Sequence, residues 1–82
     1  MESARPQLQG PPATAVRAHI AGTVWKVEVD FGDEVEEGQT VVILESMKME
    51  MPVESPVSGR VTAIRAEQGR FVEEGETLIE LG

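Results

Sequence analysis

The residues of this sequence best suited to chemistry lie together in one short stretch, Glu45-Ser46-Met47-Lys48-Met49-Glu50. A deprotonated lysine amine attacks activated acyl groups, although a free lysine is almost wholly protonated at about pH 7. The two flanking methionines offer soft, adaptable apolar contacts to a partner protein. The stretch therefore predicts a point of covalent attachment at Lys48 that a partner enzyme recognises and deprotonates. The alternative is a solvated lysine on a turn, with both methionines packed on the domain.

Two extended runs position this stretch. Residues 40–44 are apolar and lead into it, and residues 51–54 form a second extended run that leads out. Two extended runs joined by a short polar connection are typical of a β-hairpin. We therefore expect Lys48 at or beside a hairpin tip, with its amine in water.

Composition excludes several function classes. The 82 residues make one domain at most, and a chain of this size has little room for a deep cleft. A net charge of −8 opposes nucleic-acid binding and favours a soluble, monomeric domain. The absence of cysteine excludes thiolate metal sites and disulfides. We find neither a membrane span nor the apolar core of a signal peptide, and we predict a cytoplasmic protein without catalysis of its own.

Acidic residues form two further candidate groups, and neither predicts a catalytic or metal site. The cluster between Asp30 and Glu37 does not have the spacing of a calcium loop, and we interpret it as a solvated turn. Glu45 and Glu50 flank the predicted tip, where nothing deep and apolar is available to perturb an acid/base pair. The single histidine, His19, has no cysteine partner for a metal, and we expect a surface or cross-strand role for it.

The chain contains an internal repeat with an offset of 37 residues. Residues 19–45 align with residues 56–82 without a gap, and nine positions are identical. Each copy has turn glycines, a Val-Glu-Glu-Gly segment and an apolar run at equivalent places. Neither copy could bury its apolar face alone. The repeat predicts an all-β fold, a flattened barrel or sandwich of two four-stranded sheets related by pseudo-two-fold symmetry.

The strands are predicted at residues 16–20, 23–29, 34–35 and 40–45, with equivalents in the second copy. Val24 and Val27 are three residues apart, as are Val61 and Ile64, whereas a flat strand needs even spacing to keep both on one face. We therefore expect a β-bulge in each copy. Residues 1–14 are rich in proline and predict a disordered tail or linker, which leaves 15–82 as the domain.

The motif Glu45-Ser46-Met47-Lys48-Met49-Glu50, with Pro56-Val57-Ser58-Gly59 downstream, resembles the biotin-attachment signature of biotin carboxyl carrier domains. The usual form has alanine where this chain has Ser46. The Ser-Met-Lys-Met variant resembles the small free-standing biotinyl/lipoyl attachment proteins, and the resemblance covers residues 16–82. Some biotin carriers insert a protruding thumb between the second and third strands. Here Val29 runs directly into the next turn, which predicts that the thumb is absent.

The resemblance implies a function. A biotin protein ligase would attach biotin to Lys48, and the modified domain would carry a carboxyl group from a biotin carboxylase to a carboxyltransferase. It implies recognition roles for Met47 and Met49, with Glu45, Ser46 and Glu50 as weaker candidates. One alternative is a lipoyl carrier for acyl transfer, although lipoyl domains usually have Asp-Lys-Ala at this site. Another is an unmodified β-barrel interaction module.

Overall fold

The computed structural model describes residues 14–82, which form eight β-strands and no helix. The predicted all-β fold is confirmed. The strands are β1 (Thr14–Arg17), β2 (Gly22–Val27), β3 (Glu34–Val35), β4 (Thr40–Ser46), β5 (Met49–Glu54), β6 (Gly59–Ile64), β7 (Phe71–Val72) and β8 (Thr77–Leu81). In this described part of the chain there is accordingly no helix long and apolar enough to cross a membrane.

The strands build two four-stranded antiparallel sheets with the orders β1-β8-β6-β3 and β5-β4-β2-β7. We call the second of these the hairpin sheet, because it contains both β4 and β5. Each half of the chain supplies two strands to each sheet, so neither half forms a sheet alone. The predicted arrangement of two four-stranded sheets is confirmed. Residues 28–33 join β2 to β3 without an added strand, so the thumb is absent as predicted.

The core lies between the sheets and consists of small and branched aliphatic side chains. β-Branched residues fit a pleated, buried surface well, and valine dominates here. Burial of these side chains is the main favourable term for a domain this small. The buried residues are Val16, Ala18, Val24, Val29, Val35, Val41, Val42, Leu44, Val53, Val61, Ala66, Val72, Leu78, Ile79 and Leu81.

Strand register reproduces the sequence repeat in three dimensions. In the β4–β5 pair Leu44 lies opposite Met51, and in the β8–β1 pair Leu81 lies opposite Thr14. Moving 37 residues forward from Leu44 gives Leu81, and moving 37 residues back from Met51 gives Thr14, so the two pairs are equivalent under the repeat. The pairing of β8 with β1 is therefore the pseudosymmetric counterpart of the β4–β5 hairpin. It lies at the opposite end of the barrel, which we call the tail end.

Both predicted bulges are present. The register of β2 on β4 shifts between Val24 and Lys26, and that of β6 on β8 shifts between Val61 and Ala63. The extra residue in β2 is Trp25, and both Trp25 and Lys26 are exposed as a result. The irregular valine spacing in the sequence was thus a correct sign of strand curvature.

Several predicted strand boundaries were wrong. The first strand runs from Thr14 to Arg17 and not over residues 16–20, so His19 lies outside it in a bend. The reason is that β8 begins at Thr77, which pairs with Arg17. Beyond that pair, Ala18 exchanges backbone hydrogen bonds with the turn residues Gly75 and Glu76 and not with a strand. Residues 1–13 of the predicted tail lie outside the described residues, while Thr14 belongs to β1. The tail boundary otherwise stays a prediction.

The acidic turns are closed by their own side chains. The backbone N–H of Asp30 donates to Oδ2 of Asp33 at 2.9 Å, and the backbone N–H of Glu73 donates to Oε1 of Glu76 at 3.0 Å. These contacts agree with the interpretation of the acidic cluster as a turn. Within residues 14–82, no group of three or more His, Asp or Glu is arranged to hold a metal ion.

Candidate functional site

Lys48 occupies the tip of the β4–β5 hairpin. Ser46 pairs with Met49, so the connecting loop contains only Met47 and Lys48. Both loop residues have positive φ, 54° at Met47 and 65° at Lys48. Two positive φ values in a two-residue loop indicate a type I′ turn, which normally selects Asn-Gly because other residues are strained there. The predicted hairpin is present, with longer strands and a tighter turn than the sequence indicated.

The hairpin is anchored in the core and projects from it. Leu44 has no exposed surface and lies opposite Met51, which packs against the core. Three residues beyond Leu44, the side chain of Met47 is 91% exposed, and that of Met49 is 62% exposed. The two methionines therefore do not pack on the domain, which was the alternative left open by the sequence. Both present apolar surface to the solvent beside Lys48.

A glycine brings β2 against the base of this hairpin. A Cβ atom at Gly22 would lie 2.7 Å from the carbonyl oxygen of Glu45. Real Cβ atoms do not approach a backbone oxygen that closely, so β2 can lie at this distance from β4 only because residue 22 is glycine. At the equivalent tail-end position, Gly59, the nearest atom is 3.4 Å away. The close approach of β2 therefore supports β4, the strand that leads into the turn.

Polar side chains of the motif surround the tip without closing it. Glu45 and Glu50 are exposed and lie directly opposite each other across β4 and β5, and Ser46 is half-buried. No residue of 14–82 forms an ion pair with Lys48. The structure thus brings all six predicted site residues together at one end of the barrel. Lys48 is exposed at the tip and carries the only amine of the group.

A family model described as "Biotin-requiring enzyme" matches residues 11–81. The chain belongs to the biotin/lipoyl attachment family. Within this family, a Bacillus subtilis (strain 168) protein named "Biotin/lipoyl attachment protein" is 50% identical over 66 residues. That match covers 80% of this chain and 90% of the Bacillus protein.

Longer relatives contain the same unit. A Streptococcus mutans protein named "Biotin carboxyl carrier protein" is 38% identical over 76 residues. That match covers 93% of this chain and 58% of the Streptococcus protein. The solved urea carboxylase of Kluyveromyces lactis superimposes with a TM-score of 0.82 at 32% identity over the whole chain. This chain spans only 7% of that urea carboxylase. The attachment fold is therefore found both in small proteins and inside large enzymes.

Two exposed side chains on the hairpin sheet were given no role from the sequence. Trp25 is 44% exposed on β2, and Phe71 is 58% exposed on β7. Their repeat counterparts are Thr62 and Glu34, which are polar. Position-by-position comparison of the two copies could have revealed this difference, because core positions of a repeat keep their apolar character.

Proposed function

We propose that this protein is a carrier that is biotinylated on Lys48. It would move a carboxyl group between the biotin carboxylase and the carboxyltransferase of a biotin-dependent carboxylase. The observation that carries the proposal is the exposed Lys48 on a two-residue turn, between two exposed methionines. Membership in the attachment family and the Streptococcus relative's name, biotin carboxyl carrier protein, support it.

The attachment step requires a neutral amine. A biotin protein ligase would deprotonate Nζ of Lys48 and supply biotin as its adenylate. Nζ then attacks the carboxyl carbon, an amide bond forms, the bond from that carbon to the phosphate oxygen breaks, and AMP leaves. One proton from Nζ passes to a base of the ligase or to water. The product has no charge at Lys48, so the tip becomes more apolar.

The residues at the tip fit such a group. An amide needs only a primary amine with open access, and no described residue covers or pairs with the Lys48 amine. Met47 and Met49 would contact the ligase or the catalytic partners, and Glu45, Ser46 and Glu50 would contribute polar contacts around them. When bound, biotin supplies the ring on which a carboxyl group travels.

The contribution of this chain is position. Holding the arm on a hairpin that is anchored at Leu44 turns delivery between two sites into an intramolecular event, at an effective concentration on the order of mM. The chemistry belongs to the cofactor and to the partner enzymes. We accordingly propose a monomeric carrier component, located in the cytoplasm, with no catalysis of its own.

A second candidate keeps the fold and changes the arm. The Bacillus relative is named for both biotin and lipoyl attachment, which favours lipoate as the alternative group on Lys48. The lipoylated protein would serve acyl-transfer chemistry instead of carboxyl transfer. The exposed methionines beside Lys48, which lipoyl domains usually lack, favour biotin.

Intact-mass analysis of the protein purified from its own cells tests both candidates. Peptide mapping across Met47 to Met51 should find one biotinyl group on Lys48. Lys48→Arg keeps the charge but cannot form the amide, so avidin binding should disappear. Lys26→Arg is the matched control, because Lys26 is the only other lysine. This variant should be biotinylated on Lys48 to the same extent as the wild type. A lipoyl group would replace the first candidate by the second, and an unmodified Lys48 in cells whose other carriers are modified would contradict both.

A further inference from the structure

All three aromatic side chains of this protein are exposed. Trp25 is 44%, Phe31 75% and Phe71 58% accessible, while the core contains only aliphatic residues. Aromatic side chains contribute most when buried, and they are enriched at protein interfaces. Trp25 and Phe71 lie on the hairpin sheet, whereas Phe31 lies on the turn at the tail end. The surface beside the hairpin thus has apolar area that folding does not use.

The strand register places this surface next to the arm. Phe71 lies opposite Thr23, and Thr23 lies opposite Glu45, three residues before Lys48. Trp25 follows two residues after Thr23, so Trp25 and Phe71 lie diagonally across the β2–β7 pair. Two strand spacings, about 10 Å in total, separate Phe71 from the strand that carries the turn. We call Trp25, Lys26, Arg70 and Phe71 the aromatic patch.

The fold itself does not require the aromatic patch. The pseudosymmetry supplies a second copy of the same backbone at the tail end, and all four patch positions differ there. The counterparts are Thr62 for Trp25, Ala63 for Lys26, Asp33 for Arg70 and Glu34 for Phe71. At these four positions the tail end therefore has two acidic residues, a threonine and an alanine, whereas the hairpin end has two aromatic and two cationic residues.

Charge defines what would complement the patch. Lys26 is exposed, and the Arg70 side chain is 56% exposed with its nearest carboxylate, Glu76, at 3.8 Å. An exposed pair at that distance contributes little. Two positive charges therefore flank two aromatic rings on a protein with a net charge of −8. The matching surface is an apolar hollow with an acidic rim.

The exposed area of the patch is too small for a stable dimer. Half-exposed aromatic side chains offer roughly 100 Å² each, whereas a stable interface buries about 800 Å² on each partner. A second copy of this chain would consequently gain too little from the patch alone. A transient partner that also holds the hairpin is the better match.

We propose that the aromatic patch docks this carrier on the acidic-rimmed surface of its biotin carboxylase. The proposal rests on the proposed function. A ligase reacts at Nζ of Lys48, so its contacts must centre on the turn, whereas an enzyme that works at the end of the arm must hold the domain to one side. Biotin joined to Lys48 through an amide leaves no charge on this arm, so the arm contributes no electrostatic attraction when the carrier meets the carboxylase. Electrostatic attraction would then come from the exposed Lys26 and Arg70 of the domain itself.

A titration of ¹⁵N-labelled, biotinylated carrier with unlabelled biotin carboxylase from the same cells tests this. The single tryptophan gives one indole N–H signal, which should shift or broaden on binding. Trp25→Thr and Phe71→Glu install the residues of the tail-end copy, and each should raise the dissociation constant about 10-fold or more. Phe31→Gln is the matched control, because Gln68 is its repeat counterpart, and binding should be unchanged. Added salt should weaken the binding of the wild type to the carboxylase, and it should weaken the binding of Arg70→Asp less, because that variant lacks one of the two positive charges.

Mass analysis of every variant after incubation with the ligase separates the two proposals. All variants should be biotinylated as the wild type is. Equal carboxylase binding by biotinylated Trp25→Thr, Phe71→Glu and wild type would overturn the docking surface and leave the carrier function intact. A wild type that no ligase biotinylates would overturn both. A dimer in sedimentation experiments that Trp25→Thr abolishes would replace the carboxylase by a second copy as the occupant.

Discussion

A glycine substitution that removes the proposed attachment amine should make the turn at Met47 and Lys48 more stable. Both residues have positive φ, and neither is glycine or asparagine. A left-handed backbone costs an ordinary residue about 1–2 kcal/mol, because its Cβ crowds the following carbonyl oxygen. Residues held this way cluster at functional sites, where the surrounding structure imposes the conformation. The β4–β5 strand pair, anchored by Leu44, is what imposes it here.

Lys48→Gly removes this strain but adds backbone freedom to the unfolded chain, which offsets about 0.5–1 kcal/mol of the gain. Met47→Asn adds a smaller gain, since asparagine tolerates the left-handed region. The double variant contains the Asn-Gly turn and should raise the free energy of unfolding by about 1–2 kcal/mol. For a domain of this size, that is an increase in Tm of roughly 5–15 °C.

Urea unfolding followed by circular dichroism measures this difference. Lys48→Ala is the matched control, because it removes the same side chain and keeps the left-handed strain, so its stability should stay within about 0.5 kcal/mol of the wild type. Both variants lose the proposed attachment amine, so biotinylation at Lys48 cannot differ between them. Equal stability of Lys48→Gly and Lys48→Ala would show that the turn is unstrained and would refute the reasoning.

Three further substitutions test how the fold supports the site. Gly22→Ala should lower the free energy of unfolding by at least about 1 kcal/mol more than Gly59→Ala, since only the former meets a backbone oxygen at 2.7 Å. Equal losses in urea unfolding would contradict the close approach of β2 to Glu45. Ser55→Ala should cost about 1 kcal/mol or less, because the buried Ser55 hydroxyl donates to the Val57 carbonyl, which lies near solvent; a thermal melt showing a much larger loss would be inconsistent with this. Leu44→Ala should lower the free energy of unfolding by about 2–5 kcal/mol, because it leaves a cavity in the core below the hairpin. Calorimetry measures this loss, and a loss under about 1 kcal/mol would mean that Leu44 does not anchor the hairpin.

The sequence alone could predict features that appear as a local residue pattern. The three-residue spacing of Val24 and Val27 recurred in the second copy, and it correctly indicated a bulge. Apolar runs on both sides of Lys48 correctly predicted a hairpin. These predictions succeeded because alternation of side chains across a strand is a local property of the chain.

The remaining features depend on partners that are distant in the chain. β3 has two residues and joins the sheet of β6, yet a two-residue strand has no pattern that could indicate its partner. His19 was predicted in a strand because nothing local showed that its pairing partner had ended. The left-handed turn was also beyond prediction, because Met47 and Lys48 do not favour that conformation on their own. Strand pairing imposes it from outside the turn.

The antiparallel pairing of Thr14 with Leu81 gives the domain a direction of mechanical weakness. A force that separates β1 from β8 at these residues loads their hydrogen bonds one at a time, as in unzipping. A force between Lys48 and the tail end runs along β4 and β5, and it loads the hydrogen bonds of the hairpin sheet together. We therefore expect the barrel to resist tension through its arm far better than tension between Thr14 and Leu81. Under the proposed function, tension on the arm between two enzymes would load the domain along its strong axis.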